Sequence, residues 1–303
     1  MEHYFKESCI MSTLTKFQTA ILILFLVVVW GINWPMTKYA LHDMPPILFS
    51  GTRTLLGGLF LLFVAIPRWK KLRFRQTWPI YLISALMNVI LYYGLQTIGL
   101  NYLPSGLFSS IVFLQPVLVG LFSWMWLGES MNGMKVAGLL LGFIGVGVIS
   151  SGAGGLSGHI SAPGVLLALG SSLSWALGTI YVKRISTRVD PIWMVTLQLI
   201  IGGLLMTAAG SKVEGWAEVH WTASFIGILL FISVLVIAIG WLVFYKLMDS
   251  GEAGRMASFT FLIPVVAILI GTLFLHEPFT PSLLAGLACV MASIFFVNRK
   301  RTS

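Results

Sequence analysis

SGLFSSIVFLQPVLVGLFSWMWLGE, residues 105–129, is an apolar stretch with a proline at its centre, Pro116, and a carboxylate at its end, Glu129. It recurs 148 residues later as AGRMASFTFLIPVVAILIGTLFLHE, residues 253–277. Gly106, Ser110, Phe113, Leu114, Pro116, Val117, Leu121, Leu127 and Glu129 meet the same residue type at Gly254, Ser258, Phe261, Leu262, Pro264, Val265, Leu269, Leu275 and Glu277. Shared leucines and valines follow from composition in any apolar helix. A glycine, a proline and a terminal glutamate kept in one register do not. A duplicated membrane segment is the best sequence pointer to a transporter.

The repeat extends outward. At a shift of 145 residues, Trp30 falls on Trp175, Lys38 on Lys183, Pro46 on Pro191, and Gly57-Gly58 on Gly202-Gly203. Ten spans follow from apolar runs of about 17–25 residues: 17–40, 46–66, 78–99, 105–126, 134–150, 164–182, 192–209, 223–247, 256–275 and 282–297. Residues 1–16 form an N-terminal tail, 17–150 the first repeat and 164–298 the second, joined by the polar, uncharged connector 151–163. Met1 to Ile10 reads as an upstream extension, with Met11 the alternative start. Because five is odd, the second copy enters the membrane from the opposite side. The predicted fold is an all-α integral membrane protein of ten transmembrane helices, arranged as two inverted five-helix repeats.

Composition agrees. Only 10% of the 303 residues are charged and 57% are hydrophobic, with a mean hydropathy of +0.93. Soluble domains carry about 25% charged residues, so this chain cannot cover a water-facing surface. The net charge of +9 does not point to nucleic acid, because the basic residues sit in short loops between apolar runs. With the N-terminus inside, sixteen of the lysines and arginines fall on the inner side and two, Lys38 and Lys212, on the outer, leaving Arg53 within a span. That asymmetry places both termini in the cytoplasm of a cell-membrane protein. The two cysteines, Cys9 and Cys289, give neither a disulfide framework nor metal spacing; Cys289 reads as a small lipid- or helix-facing residue.

Polar groups inside spans are costly and point to function by default. The candidates for a cavity are Trp30, Asn33 and Trp34 in the first span, Arg53 in the second, Asn88, Tyr92 and Gln96 in the third, and Gln115 in the fourth. Trp175 and Thr179 in the sixth and Trp241 and Tyr245 in the eighth complete the set. Asn88, Tyr92 and Gln96 are spaced four apart, which predicts one shared helix face. A polar-aromatic face among apolar helices suits a small amphipathic molecule. Arg53 has two readings: contact with an anionic group of a substrate, or a pin between helices through backbone carbonyls. Trp69, Trp78, Trp193 and Trp221 fit an interfacial aromatic belt. Pro116 and Pro264 free a backbone carbonyl and bend their helices, and as an inverted pair they are hinge candidates. Glu129 and Glu277 are read as interfacial caps of the helices that follow them, with gates or proton sites as the alternative. No Asp, Glu or His lies mid-span, and no catalytic constellation, metal site or cofactor motif is expected.

These patterns resemble the EamA family of the drug/metabolite transporter superfamily. The residues that carry the resemblance are Trp30-Gly31, Asn33-Trp34, Lys38, Arg53, Pro116, Gly128-Glu129 and Gly138 in the first half. Trp175-Ala176, Lys183, Pro264, Glu277-Pro278 and Gly286 match in the second. Two departures stand out: His276 where the family has glycine, and Gln198 where the first half has Arg53. The resemblance implies a basket of ten helices around a central cavity lined mainly by spans one, three, four, six, eight and nine. It implies a secondary transporter, typically an exporter of amino acids or related metabolites. The expected partners are a small-molecule substrate and the lipid bilayer, with the protein a monomer. A broad multidrug exporter is the alternative within transport; a membrane-embedded enzyme or a channel is the alternative outside it.

Overall fold

The computed structural model describes residues 15–128, 132–152, 161–249 and 262–298, and these are helical with no strand among them. The helices are α1 (Lys16–Ala40), α2 (Pro46–Ala65), α3 (Phe74–Gly99), the half-helices α4 (Ser105–Val112) and α5 (Gln115–Leu127), α6 (Gly133–Gly152), α7 (Ala162–Ile185) and α8 (Pro191–Val213). They continue with α9, which joins Ala223–Leu230, Phe231–Ile239 and Gly240–Asp249, then α10 (Leu262–Leu275) and α11 (Pro281–Asn298). Seven helical stretches among the described residues are long and apolar enough to cross a bilayer, and α10 and parts of α6 and α11 are shorter apolar helices. The protein is a multi-pass membrane protein.

Local sequence explains where helices begin. Thr15 and Gln18 form a reciprocal capping box at the start of α1, satisfying two of the donors a helix N-terminus leaves open. Ser161 caps α7. Asp190 accepts from the N–H groups of Ile192 and Trp193, with Pro191 in the first turn of α8. The first turn of α2 is served from far away: the Glu214 carboxylate, just past α8, accepts from Ile47 at 3.0 Å and Leu48 at 2.8 Å.

Two helix pairs pack closely enough to need small residues. Along α2 and α8, Gly210 lies against Leu48, Gly203 against Leu55 and Ile200 against Gly58, so the numbers fall along one helix as they rise along the other. The pair is antiparallel, and a Cβ on Gly203 would sit 2.7 Å from the Leu55 Cα. Helices α6 and α11 form the second pair. Ser293 Oγ donates to the Gly138 carbonyl, and Gly145 faces Cys289 and Gly286, which again makes the helices antiparallel and puts Cys289 at a helix contact.

Three features depart from straight α-helix. The fourth predicted span is broken at Phe113 and Leu114 into α4 and α5, with Pro116 in the first turn of α5. Pro116 has no N–H to offer the Val112 carbonyl, so the ladder cannot run through. The other two departures are π-helical turns, Leu86–Leu91 inside α3 and Phe231–Ile239 inside α9. Such turns occur often at functional sites. Pro264 lies near the start of the described part of α10, while Glu129 and the segment before Leu262 lie outside the described residues. Of the predicted belt tryptophans, Trp69, Trp78 and Trp221 are exposed, but Trp193 is buried and donates to the Arg68 carbonyl. It is a packing residue at the foot of α8, not a belt residue.

Candidate functional site

Tyr92 and Tyr93 just past the first π-helical turn, Val236 and Ile237 within the second and Phe113 at the α4–α5 break border one small space. Its aromatic wall consists of Trp30 and Trp34 from α1, Tyr92 and Tyr93 from α3, Phe113 from the break, Trp175 from α7 and Trp241 from α9. Arg53 and Asn33 supply the polar lining, and Val236 and Ile237 close it. The free volume is about 30 Å³, room for a water or two. The walls therefore have to part before a metabolite can enter.

The rings hold one another. Tyr92 lies 4.9 Å from Trp175 and 4.6 Å from Tyr93, centroid to centroid. Phe113 meets Trp175 edge-on, and Trp30 tilts against Trp241 at 5.9 Å. Tilted and edge-on pairs at these separations are the favourable arrangements. Indole N–H groups that would be stranded in an apolar wall find acceptors: Trp30 Nε1 donates to the Val236 carbonyl at 3.1 Å, inside the π-helical part of α9, and Trp241 Nε1 donates to the Tyr93 hydroxyl at 3.3 Å.

Arg53 is 0% exposed. Its guanidinium donates to Thr37 Oγ1 at 2.8 Å and to Gln96 Oε1 at 3.2 Å. Thr37 in turn donates to Asn33 Oδ1 at 3.2 Å. The cation also lies over the rings of Phe49 and Tyr93, about 5 Å from each centroid. Of its two readings, the helix pin runs through side chains and not through backbone carbonyls. No carboxylate among the described residues pairs with it, and its Nε–H, like Gln96 Nε2, has no partner.

The predicted candidates thus divide. Trp30, Asn33, Trp34, Arg53, Tyr92, Trp175 and Trp241 come together at the cavity. Gln96 stands behind it as the acceptor for Arg53. Gln115 Nε2 donates to Thr179 Oγ1 at 3.1 Å, so these two brace the break against α7 outside the lining. Asn88 also lies off it, bonded to Ser84 at 3.1 Å and Gln198 at 3.4 Å and filling the space beside Gly178. The single face predicted for Asn88, Tyr92 and Gln96 is not observed, because the π-helical turn between Leu86 and Leu91 adds a residue to one turn. An added residue rotates what precedes it by about 100°. The Tyr245 side chain lies outside the described ones. Tyr93, one of the polar residues that the sequence places within the third span, also joins the wall, as does Phe113, which the candidates leave out although it carries a signal, its identity with Phe261 in the repeat.

Outside the cavity lining, Glu277 ties α1, α4 and the end of α10 together. Its carboxylate accepts from Ser105 N–H at 2.7 Å, Ser105 Oγ at 2.8 Å and Gly106 N–H at 3.3 Å. It therefore caps α4, and not the helix that follows it in the chain. Lys38 at the end of α1 pairs with it at 3.3 Å and donates to the Leu103 carbonyl. His276 has φ 52° and Gly128, its partner in the repeat, φ 70°, so the same left-handed turn ends both members of the duplicated stretch.

Comparisons with known proteins agree with this architecture. The model of the EamA-like transporter family matches residues 18–151 and again residues 162–299. A Bacillus subtilis protein named "Uncharacterized transporter YvbV" is 61% identical over 290 residues, covering 96% of this chain and 94% of that one. Proteins named "Probable amino-acid metabolite efflux pump" match from Escherichia coli, at 27% identity over 91% of this chain and 93% of theirs, and from Salmonella typhimurium, at 30% over 90% and 92%. A solved crystal structure superposes with a TM-score of 0.67 at 18% identity, covering 93% of this chain and 96% of its own, a likeness of fold. With both halves matched and relatives named as transporters, the chain belongs to the EamA-like transporter family.

Proposed function

We propose that the protein is a secondary transporter of the cell membrane that exports small amphipathic metabolites, amino acids and related compounds among them, by alternating access. The observation that carries this reading is the small polar-aromatic cavity at the broken helix, with walls drawn from α1, α3, α7 and α9. Discontinuous helices at a cavity deep in the membrane mark substrate sites in transporters. The finer architecture belongs to the same proposal: ten spans in two inverted five-helix repeats, both termini cytoplasmic, functioning as a monomer. The antiparallel packing of α2 on α8 and of α6 on α11 supports it, since each pair joins corresponding spans of the two halves. The excess of lysine and arginine on one side supports the orientation. The names of the E. coli and Salmonella relatives favour amino acids as substrates.

The test compares metabolites released by cells that overexpress the protein with those released by cells lacking it. The expected result is an excess of one or a few amino-acid-like compounds in the medium, reproduced as counterflow in liposomes containing the purified protein. A changed drug-resistance profile with no metabolite released would assign a multidrug exporter instead. Flux without counterflow would reject a carrier.

A further inference from the structure

We infer that Arg53 is the anchor for a carboxylate on the transported molecule, so that the cavity selects compounds with one carboxylate and an apolar or aromatic body. This inference rests on the transporter reading above and narrows its substrate class.

A guanidinium fully withdrawn from water needs a counter-charge or full hydrogen bonding. Arg53 has neither. Its two hydrogen-bond partners, Thr37 and Gln96, are neutral, its Nε–H is unpartnered, and no described carboxylate pairs with it. Phe49 and Tyr93 beneath it stabilise a cation by their ring faces, but they accept no strong hydrogen bond. Arg53 is among the residues that line the cavity, so an anion that enters when the walls part arrives beside it.

The surroundings set the charge and shape of that anion. One cation flanked by an amide and a hydroxyl balances a single negative charge, not a phosphate dianion. A carboxylate also matches the planar fork of arginine in a way a lysine cannot reproduce. The same lining includes Trp30, Trp175 and Trp241, which accommodate an aromatic or branched aliphatic body by ring contact. An α-ammonium group is tolerated on the faces of these rings.

Three probes sharing one phenyl body separate these features: 3-phenylpropanoate, L-phenylalanine and L-phenylalaninamide. Binding to the purified full-length protein is read from indole fluorescence, because the rings that respond line the site. The two carboxylates are expected to bind, and the amide to bind ten-fold or more weakly. Arg53→Gln is expected to weaken both carboxylates ten-fold or more and to leave the amide bound no more weakly than before, since a like charge is removed. Arg53→Lys, which keeps the charge, is expected to fall between, and it controls for folding alongside the melting temperature of each variant. The inference is overturned if neither carboxylate binds, if the amide binds as well as they do, or if Arg53→Gln retains wild-type affinity. The metabolite-release experiment is separate: release of compounds that carry no carboxylate would sink the carboxylate anchor and leave the transporter standing.

Discussion

Removing the Glu277 carboxylate should loosen the junction of α1, α4 and α10 by a predictable amount. The side chain is 8% exposed and its partner Lys38 28%. In Glu277→Ala, two backbone N–H groups and the Ser105 hydroxyl at the start of α4 lose their acceptor. Hydrogen bonds to a charged group contribute about 1.5–3 kcal/mol, and loss of a helix N-cap costs about 1 kcal/mol. Lys38 keeps the Leu103 carbonyl and some water, so little is added there. The expected destabilisation is about 3 kcal/mol. Glu277→Gln keeps an acceptor but loses the charge and should cost about 1 kcal/mol. The assay is thermal unfolding of purified variants in detergent, with Ser105→Ala and the double variant completing a cycle. The apparent Tm should fall in the order wild type, Gln, Ala, and the double variant should lose less than the sum. Wild-type melting of Glu277→Ala, or strict additivity with Ser105→Ala, would refute the cap.

Pro116→Ala restores the missing N–H at the α4–α5 break, where a first-turn proline costs little; insertion and stability should be preserved while transport in liposomes slows, and normal transport would remove the hinge. Gly203→Leu forces a side chain into the Leu55 backbone, where the added Cβ alone would sit 2.7 Å from Cα; a loss of about 1–3 kcal/mol or more should appear as reduced yield of folded protein, whereas unchanged yield and melting would mean that α2 and α8 are further apart. His276→Gly removes a non-glycine residue from φ 52°, a conformation costing about 1–2 kcal/mol against the chain entropy of glycine, about 0.4–1 kcal/mol; the melting temperature should rise slightly, and a fall would show that the imidazole makes a contact of its own.

Much of this is legible in the residues because membrane helices have few ways to be written. Pro116, Glu277 and the paired glycines are placed by register alone, and Trp30 and Trp175 by their repetition. Pro116 foreshadows the α4–α5 break, since a missing N–H is a local fact. What cannot be read is whatever depends on a turn of unusual width or on a partner far along the chain. By spacing Asn88 is a neighbour of Tyr92, and the π-helical turn at Leu86–Leu91 sends it to Gln198 instead. By sequence Glu277 is a cap for the helix beside it, and the fold brings α4 closer. Arg53 is visible as an anomaly within a span, but its acceptors, Thr37 and Gln96, belong to two other helices. Spacing alone does not single out Phe113, whose place in the wall follows from the break it borders.

The most direct test of alternating access through the aromatic cavity is the side from which Trp175 can be reached. Trp175→Cys, introduced after replacement of Cys9 and Cys289, is exposed to a membrane-impermeant thiol reagent in right-side-out and in inverted vesicles. The account predicts labelling from both sides, reduced from both by a transported compound. Labelling from one side only, or from neither, would contradict it.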